Sequence, residues 1–188
     1  GLNTSLQIEN FRKLLLSMVE DMRVILIKIA DRLHNSRTLD FMQENKRYKI
    51  AAETLTIFAP IAHRLGLFEI KTELEDLAMK HEYPQEYYSI KSRLDENEAN
   101  YQNIINSVAE PIKRELDAKG YKYTIKSRTK SIYSIWKKMV NKKVSFEEIY
   151  DILAMRIIFT PTNEEMEKSQ CWDVYTSVTS QFKSYTDR

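Results

Sequence analysis

At Gly120 the chain changes texture, and that change constrains its fold more than any other feature of the sequence. The 188 residues hold only 3 Gly and 4 Pro, so long uninterrupted helices are permitted. Before Gly120 the apolar residues recur at helical spacing. This predicts a helix over 9–34 with Asn10 as a weak cap, another from Arg47 to Ala59 ending near Pro60, and a third from Leu67 to Lys80 after Gly66. A stop near "HEYP" precedes one long amphipathic segment, kinked or divided at Pro111, with Gly120 where a helix C-terminus puts its glycine. After Gly120, "YKYTIKS" alternates like a strand, and "SIYSIWKKMVNKK" sets Ile132, Ile135, Trp136 and Met139 at helical spacing. "ILAMRIIF" reads as a buried strand ended by "TPTN", and Asn163 is placed to cap a helix from Glu164 through the Trp172 region. The expected fold class is α+β: an all-helical part, then a mixed α/β part beginning with a β-α-β-α order.

Composition narrows the function classes. At 43% hydrophobic the chain can bury a real core, in one or two small domains. No apolar run of about 18 residues and no apolar leader is visible, so neither a membrane span nor a signal peptide is expected. The single Cys171 cannot form an internal disulfide, which fits a reducing compartment and makes the cytoplasm the expected location. The first residue is Gly1 rather than Met, from which a stretch of something longer is expected. The net charge of +2 is unevenly spread: 120–143 holds seven Lys and one Arg with no acidic residue, leaving 21 basic against 27 acidic residues elsewhere. The positive charge is concentrated where it can meet phosphate.

Two stretches carry candidate chemistry. In "VILIKIADRLHNSRTL", Asp31, His34, Asn35 and Thr38 fall along one helix face, and apolar residues cover most of the rest. A carboxylate buried there needs a cation, a metal or several hydrogen bonds, so Asp31 is either structurally paired or part of a site. The only histidines are His34, His63 and His81, with no His-Asp pair and no HExxH, so most companions of a metal at Asp31 would lie outside the sequence.

The second stretch is "KSRTKSIYSIWKKM". Arg128 and Lys130 point the same way if extended, and Lys130, Ser134 and Lys138 are successive i, i+4 neighbours if helical. Several cations plus a hydroxyl suit a polyphosphate, and a planar Arg also stacks on a base. A solvated basic helix face accounts for the pattern equally well. Asp151 stands just before the apolar strand, where one carboxylate can hold a divalent ion bridging nucleotide phosphates, although taken alone such a residue is more often a cap or a salt-bridge partner than a ligand. Arg156 lies inside that strand. The pairs Tyr87/Tyr88 and Tyr121/Tyr123 read as packing rather than base-stacking platforms.

Four stretches in this order, "KIADRLHNSRTL", "IFAPIAHRLGLFEIKTELEDLA", "SRTKSIYSIWKKM" and "IYDILAMRIIF", resemble the RelA/SpoT-type long guanosine tetra- and pentaphosphate synthetase/hydrolases over nearly the whole chain. The resemblance implies the C-terminal portion of an HD-type hydrolase domain and adjoining helices at 1–82, a helical connector at 83–119, and the N-terminal portion of a nucleotidyltransferase-like synthetase domain at 120–188. It implies hydrolysis of (p)ppGpp with Mn²⁺ and transfer of pyrophosphate from ATP to the 3′-hydroxyl of GDP or GTP with Mg²⁺. Asp31 matches a metal-ligating Asp, and Asn35 and Thr38 match residues lining a guanosine pocket. Arg128 and Arg156 match a pair sandwiching adenine, Lys130, Ser134 and Lys138 match triphosphate contacts, and Asp151 matches a Mg²⁺ ligand. The His and His-Asp elements of the hydrolase site would lie upstream of Gly1. The guanine-stacking Tyr and the acidic residue that activates the 3′-hydroxyl would lie beyond Arg188. The chain alone is expected to be inactive, and the ribosome or regulatory proteins would be met through regions outside it. The competing reading is a non-enzymatic nucleic-acid-binding or regulatory module using 120–143.

Overall fold

The computed structural model describes residues 21–182. They divide into two compact units: one runs to Ser89 and includes Ser131–Trp136, and the other comprises Ile90–Lys130 and the chain from Lys137 onward. No helix among the described residues is long and apolar enough to cross a membrane.

The first unit is helical. Helix α1 (Met22–Arg37) is capped by Asp21, whose side chain accepts the Arg23 backbone N–H; the part of the expected helix before residue 21, with Asn10, lies outside the described residues. Helix α1 buries Ile25 and Ile29 against Phe58, Ala59, Ile61, Ala62 and Leu74. It is not apolar-packed all round: Met22, Leu26 and Ile27 are exposed. Helix α2 (Glu44–Glu53) runs through a π-helical turn at Thr54–Phe58 into α3 (Ala59–Arg64). The expected stop near Pro60 is therefore replaced by a continuing helix. Pro60 offers no N–H and crowds the carbonyl four residues back. The wider turn accommodates this, with Ala59 N–H reaching Thr54 O instead.

Gly66, at φ +75°, ends α3. Its N–H bonds His63 O and the Leu67 N–H bonds Ala62 O, a paired closure that needs a left-handed residue. Helix α4 (Phe68–Glu82) follows, then α5 (Pro84–Glu96). The long segment expected after "HEYP" is two helices, because Asn97 interrupts it with its side-chain amide turned back onto Arg93 O. Helix α6 (Glu98–Ala118) then continues through Pro111 without a break. An interior proline costs about 3 kcal/mol, which the burial of Ala109, Ile112 and Leu116 offsets. Gly120, at φ +74°, closes α6 by the same two-bond pattern as Gly66.

In the second unit, β1 (Lys122–Thr129) pairs antiparallel with β2 (Leu153–Thr160). Between them runs α7 (Ile132–Lys142), whose first turn, to Trp136, belongs to the first unit. Helix α8 (Glu167–Gln181) closes the described chain. Asn163 accepts the Met166 N–H, so it caps a turn that precedes α8 rather than a helix from Glu164. One sheet face, with Tyr123, Ile125, Met155, Ile157 and Phe159, packs on Ile112, Leu116 and Val174. The strand expected to be buried thus alternates: Ala154, Arg156, Ile158 and Thr160 are exposed.

Candidate functional site

The two candidate stretches differ in how much of a site each assembles. On α1, Asp31 is exposed and accepts the Asn35 side-chain amide at 3.0 Å. Burial therefore does not force a cation onto Asp31; its one partner among the described residues is a neutral amide one turn along. Thr38 is the C-cap of α1, and its hydroxyl donates to His34 O and Asn35 O, each at 3.2 Å. The helix itself is anchored by arginines. Arg32 bonds Glu53 at 3.0 Å and lies 4.2 Å over the Phe58 ring, while Arg37 forks onto both oxygens of Glu73. Among the described residues no group of three or more His, Cys, Asp or Glu that could hold a metal occurs. One carboxylate and one amide do not make a divalent-metal site.

The antiparallel register builds the other stretch. Thr129 lies opposite Leu153, so the residues just beyond that end of the ladder, Lys130 and Asp151, are brought close, and Lys130 N–H bonds Ile152 O at 2.7 Å. Lys130 precedes α7 rather than lying in it. Its Nζ still meets one Asp151 oxygen at 2.8 Å, while Lys138, two turns into α7, meets the other at 2.6 Å. These two ammonium groups hold the Asp151 carboxyl down to about 2. Of the sequence candidates, Lys130, Lys138 and Asp151 converge. The Ser134 hydroxyl instead accepts from Ser131 at 2.8 Å, keeping its own proton to donate.

Arg128 and Arg156 share the exposed sheet face. Arg128 is opposite Ala154 and Arg156 is opposite Lys126, so the two arginines are diagonal neighbours. Diagonal side chains start about 7–8 Å apart, twice the roughly 3.5–4 Å of a carbon contact. Lys126 went unremarked in the sequence, although strand alternation from Arg128 puts it on the same face. It stands directly across from Arg156, a like-charge pair that is unfavourable until an anion joins it.

Tyr121 and Tyr123 are packing residues, as expected. Their rings join the core and their hydroxyls bond Asp173 and Asp117, each at 2.9 Å.

The described chain is thus a helical segment with a polar stripe, followed by a cation-rich strand-helix-strand that grips one carboxylate. Comparisons with known proteins show what such a chain is similar to. Residues 2–68 match the family described as HD domain, and residues 127–188 match the region found in RelA/SpoT proteins. The chain is 45% identical over 152 residues to a GTP pyrophosphokinase of Myxococcus xanthus, covering 81% of the chain and 20% of that relative. It is 45% identical over 159 residues to a guanosine-3′,5′-bis(diphosphate) 3′-pyrophosphohydrolase of Aquifex aeolicus, covering 84% of the chain and 23% of the relative. To the bifunctional (p)ppGpp synthase/hydrolase SpoT of Escherichia coli it is 46% identical over 152 residues, 81% of the chain and 22% of the relative. The chain belongs to the RelA/SpoT-type proteins and spans about a fifth to a quarter of the length of these relatives. Its family regions imply use of a divalent metal.

Proposed function

We propose that the chain is the junction of a bifunctional alarmone enzyme of the cytoplasm: the end of a (p)ppGpp hydrolase at 1–82, a helical connector at 83–119, and the start of a synthetase at 120–188. The synthetase would transfer pyrophosphate from ATP to the 3′-hydroxyl of GDP or GTP. The observation that carries this reading is the grip of Lys130 and Lys138 on Asp151 at the end of a sheet face bearing Arg128 and Arg156. Arg128 and Arg156 flank the adenine. Lys130 and Lys138 neutralise the triphosphate, and Ser134 donates a hydrogen bond to it. In the free protein the two lysines are spent on Asp151, so an incoming triphosphate must draw them away, and the carboxylate is thereby released as the phosphates arrive. Asp151 would hold Mg²⁺, which would supply positive charge to offset that of the triphosphate, consistent with an ion that needs only one or two protein carboxylates. These residues position ATP and neutralise its charge; they supply no base for the 3′-hydroxyl.

On the hydrolase side Asp31 offers one Mn²⁺ ligand, with Asn35 and Thr38 on the nucleoside side. The described residues do not complete that centre, and the hydrolytic step rests on groups beyond them.

The nucleic-acid reading of 120–143 gains no support. The aromatic residues it needs as platforms are packed: Tyr121 and Tyr123 in the sheet core, and Trp136 at 4.5 Å from the Tyr83 ring. The test is Asp151→Asn in the full-length protein, assayed for both activities. Transfer is expected to collapse while hydrolysis persists. Intact transfer with stronger RNA binding would refute the synthetase assignment.

A further inference from the structure

The first turn of α7 is held by a side chain 57 residues earlier in the chain. Asp76 of α4 accepts the Tyr133 backbone N–H at 2.8 Å, and the same carboxylate accepts from the Ile132 N–H. The next amide, of Ser134, is taken by the Ser131 hydroxyl at 3.3 Å. All three leading N–H groups of α7 are thus satisfied within the protein, two by a remote carboxylate and one by the local cap. None is left for a phosphate, so any triphosphate bound by this helix must be bound through its side chains.

A local cap was already available in Ser131, which makes the second, distant one informative. Burial pushes the Asp76 carboxyl above its ordinary range, against the pull of the two backbone N–H groups. The neighbouring Glu75 pushes the same way, Lys71 opposes it, and the Tyr133 ring is itself partly buried beside them. A desolvated acid is an unfavourable way to cap a helix that has a serine. What Asp76 adds is a fixed attachment of the start of α7 to α4, reinforced by the fully buried Ile135 and by Trp136 against Tyr83. One turn before Asp76 on the same helix, Glu73 holds Arg37 at the C-terminal end of α1, beside Asn35 and Thr38.

Resting on the synthetase reading above, we propose that Asp76 is a positioning residue for pyrophosphate transfer: it fixes the axial placement of α7, and so of Lys138, from a helix of the hydrolase-type unit. Asp76 touches no substrate. Its role is to set where the phosphate-binding side chains of α7 begin.

The test compares Asp76→Ala, Asp76→Asn and Lys138→Ala in the full-length protein, each assayed for transfer and for hydrolysis. Loss of the cap in Asp76→Ala should raise the KM for ATP roughly fivefold or more, with hydrolysis changed little. Asp76→Asn keeps an oxygen to accept the N–H groups without burying a charge, and should restore the KM. Adding Asp76→Ala to Lys138→Ala should give little further loss, because the placement of Lys138 is what Asp76 secures. A normal KM in Asp76→Ala, or full multiplicative loss in the double variant, would overturn the proposal. Should Asp76→Ala not fold, hydrogen exchange at Ile132 and Tyr133 in the free protein decides: both amides must exchange slowly in wild type and in Asp76→Asn, and fast exchange of either amide in wild type would overturn the attachment. If Lys138→Ala itself leaves transfer intact, it is the reading of the phosphate cradle that has failed rather than the role of Asp76.

Discussion

Two carboxylates in this chain face different circumstances. Asp31 is exposed and, among the described residues, meets a single amide, whereas Asp151 is clasped by two ammonium groups, one on each oxygen. The difference teaches where assembly happens. Asp151 sits at the end of a two-stranded ladder, so strand register brings it Lys130 and one helix brings it Lys138, all within 21 residues. Asp31 lies on a helix face where, among the described residues, no group of three or more His, Cys, Asp or Glu gathers to hold a metal.

The contrast can be broken most decisively in the full-length protein with Asp31→Ala. Removing a metal ligand should lower (p)ppGpp hydrolysis by a factor of roughly 100 or more while leaving transfer unchanged. Normal hydrolysis would make Asp31 an ordinary surface acid. Arg128→Ala comes next: losing a stacking, charge-bearing guanidinium should cost about 2 kcal/mol, roughly a thirtyfold drop in kcat/KM for ATP. Equal losses from Lys122→Ala, on the same sheet face but nearer its far end, would point to a diffuse basic surface instead.

The third expectation concerns acid. Because the folded-state Asp151 carboxyl is depressed to about 2, its ion pairs stabilise the fold above the ordinary value of 3.8 and cease to do so as the pH falls through about 2. Half of its side chain is exposed, so after solvent screening the contribution is on the order of 1 kcal/mol. Urea unfolding of wild type and Asp151→Asn should therefore differ near pH 5 and converge toward pH 2.5; a constant gap would mean the pairing contributes nothing. The smallest effect is expected at Lys143, which holds φ +54° just after α7 while Val144 N–H bonds Met139 O. Lys143→Gly should relieve left-handed strain and raise stability by about 0.5–1 kcal/mol, read as a higher Tm.

How much of this was legible beforehand depended on the range of the forces involved. Gly120 was readable because a left-handed helix closure is a demand of one residue on its own backbone, whereas Gly66, which closes α3 in the same way, was read only as the residue before the next helix. Pro60, read as a stop, misled for the complementary reason, and Pro111 does not divide its helix. Their local cost is real, but a π-helical turn absorbs the first and the buried face of α6 outweighs the second, and neither compensation is written next to the proline. Asn97, which does divide the long helical segment, is an ordinary residue in sequence. In the site, alternation and i, i+4 spacing placed Arg128, Lys130 and Lys138 in the right neighbourhood. Asp76 left no trace, since nothing in "TELEDLAMK" announces that one of its acids serves a backbone 57 residues further on.

The opposition of Lys126 to Arg156, with Arg128 beside them, bears finally on rates. Cations massed on one exposed strand face project a field into solvent, and a small polyanion within about a Debye length, roughly 8–10 Å at ordinary ionic strength, drifts toward it before any contact forms. Capture of ATP should thus be fast at low salt and slow steeply as salt is added, while its escape changes far less. Charge reversal at Lys126 alone should flatten that salt dependence; under the proposed synthetase reading, this face would then govern how often a nucleotide arrives as well as how firmly it is held.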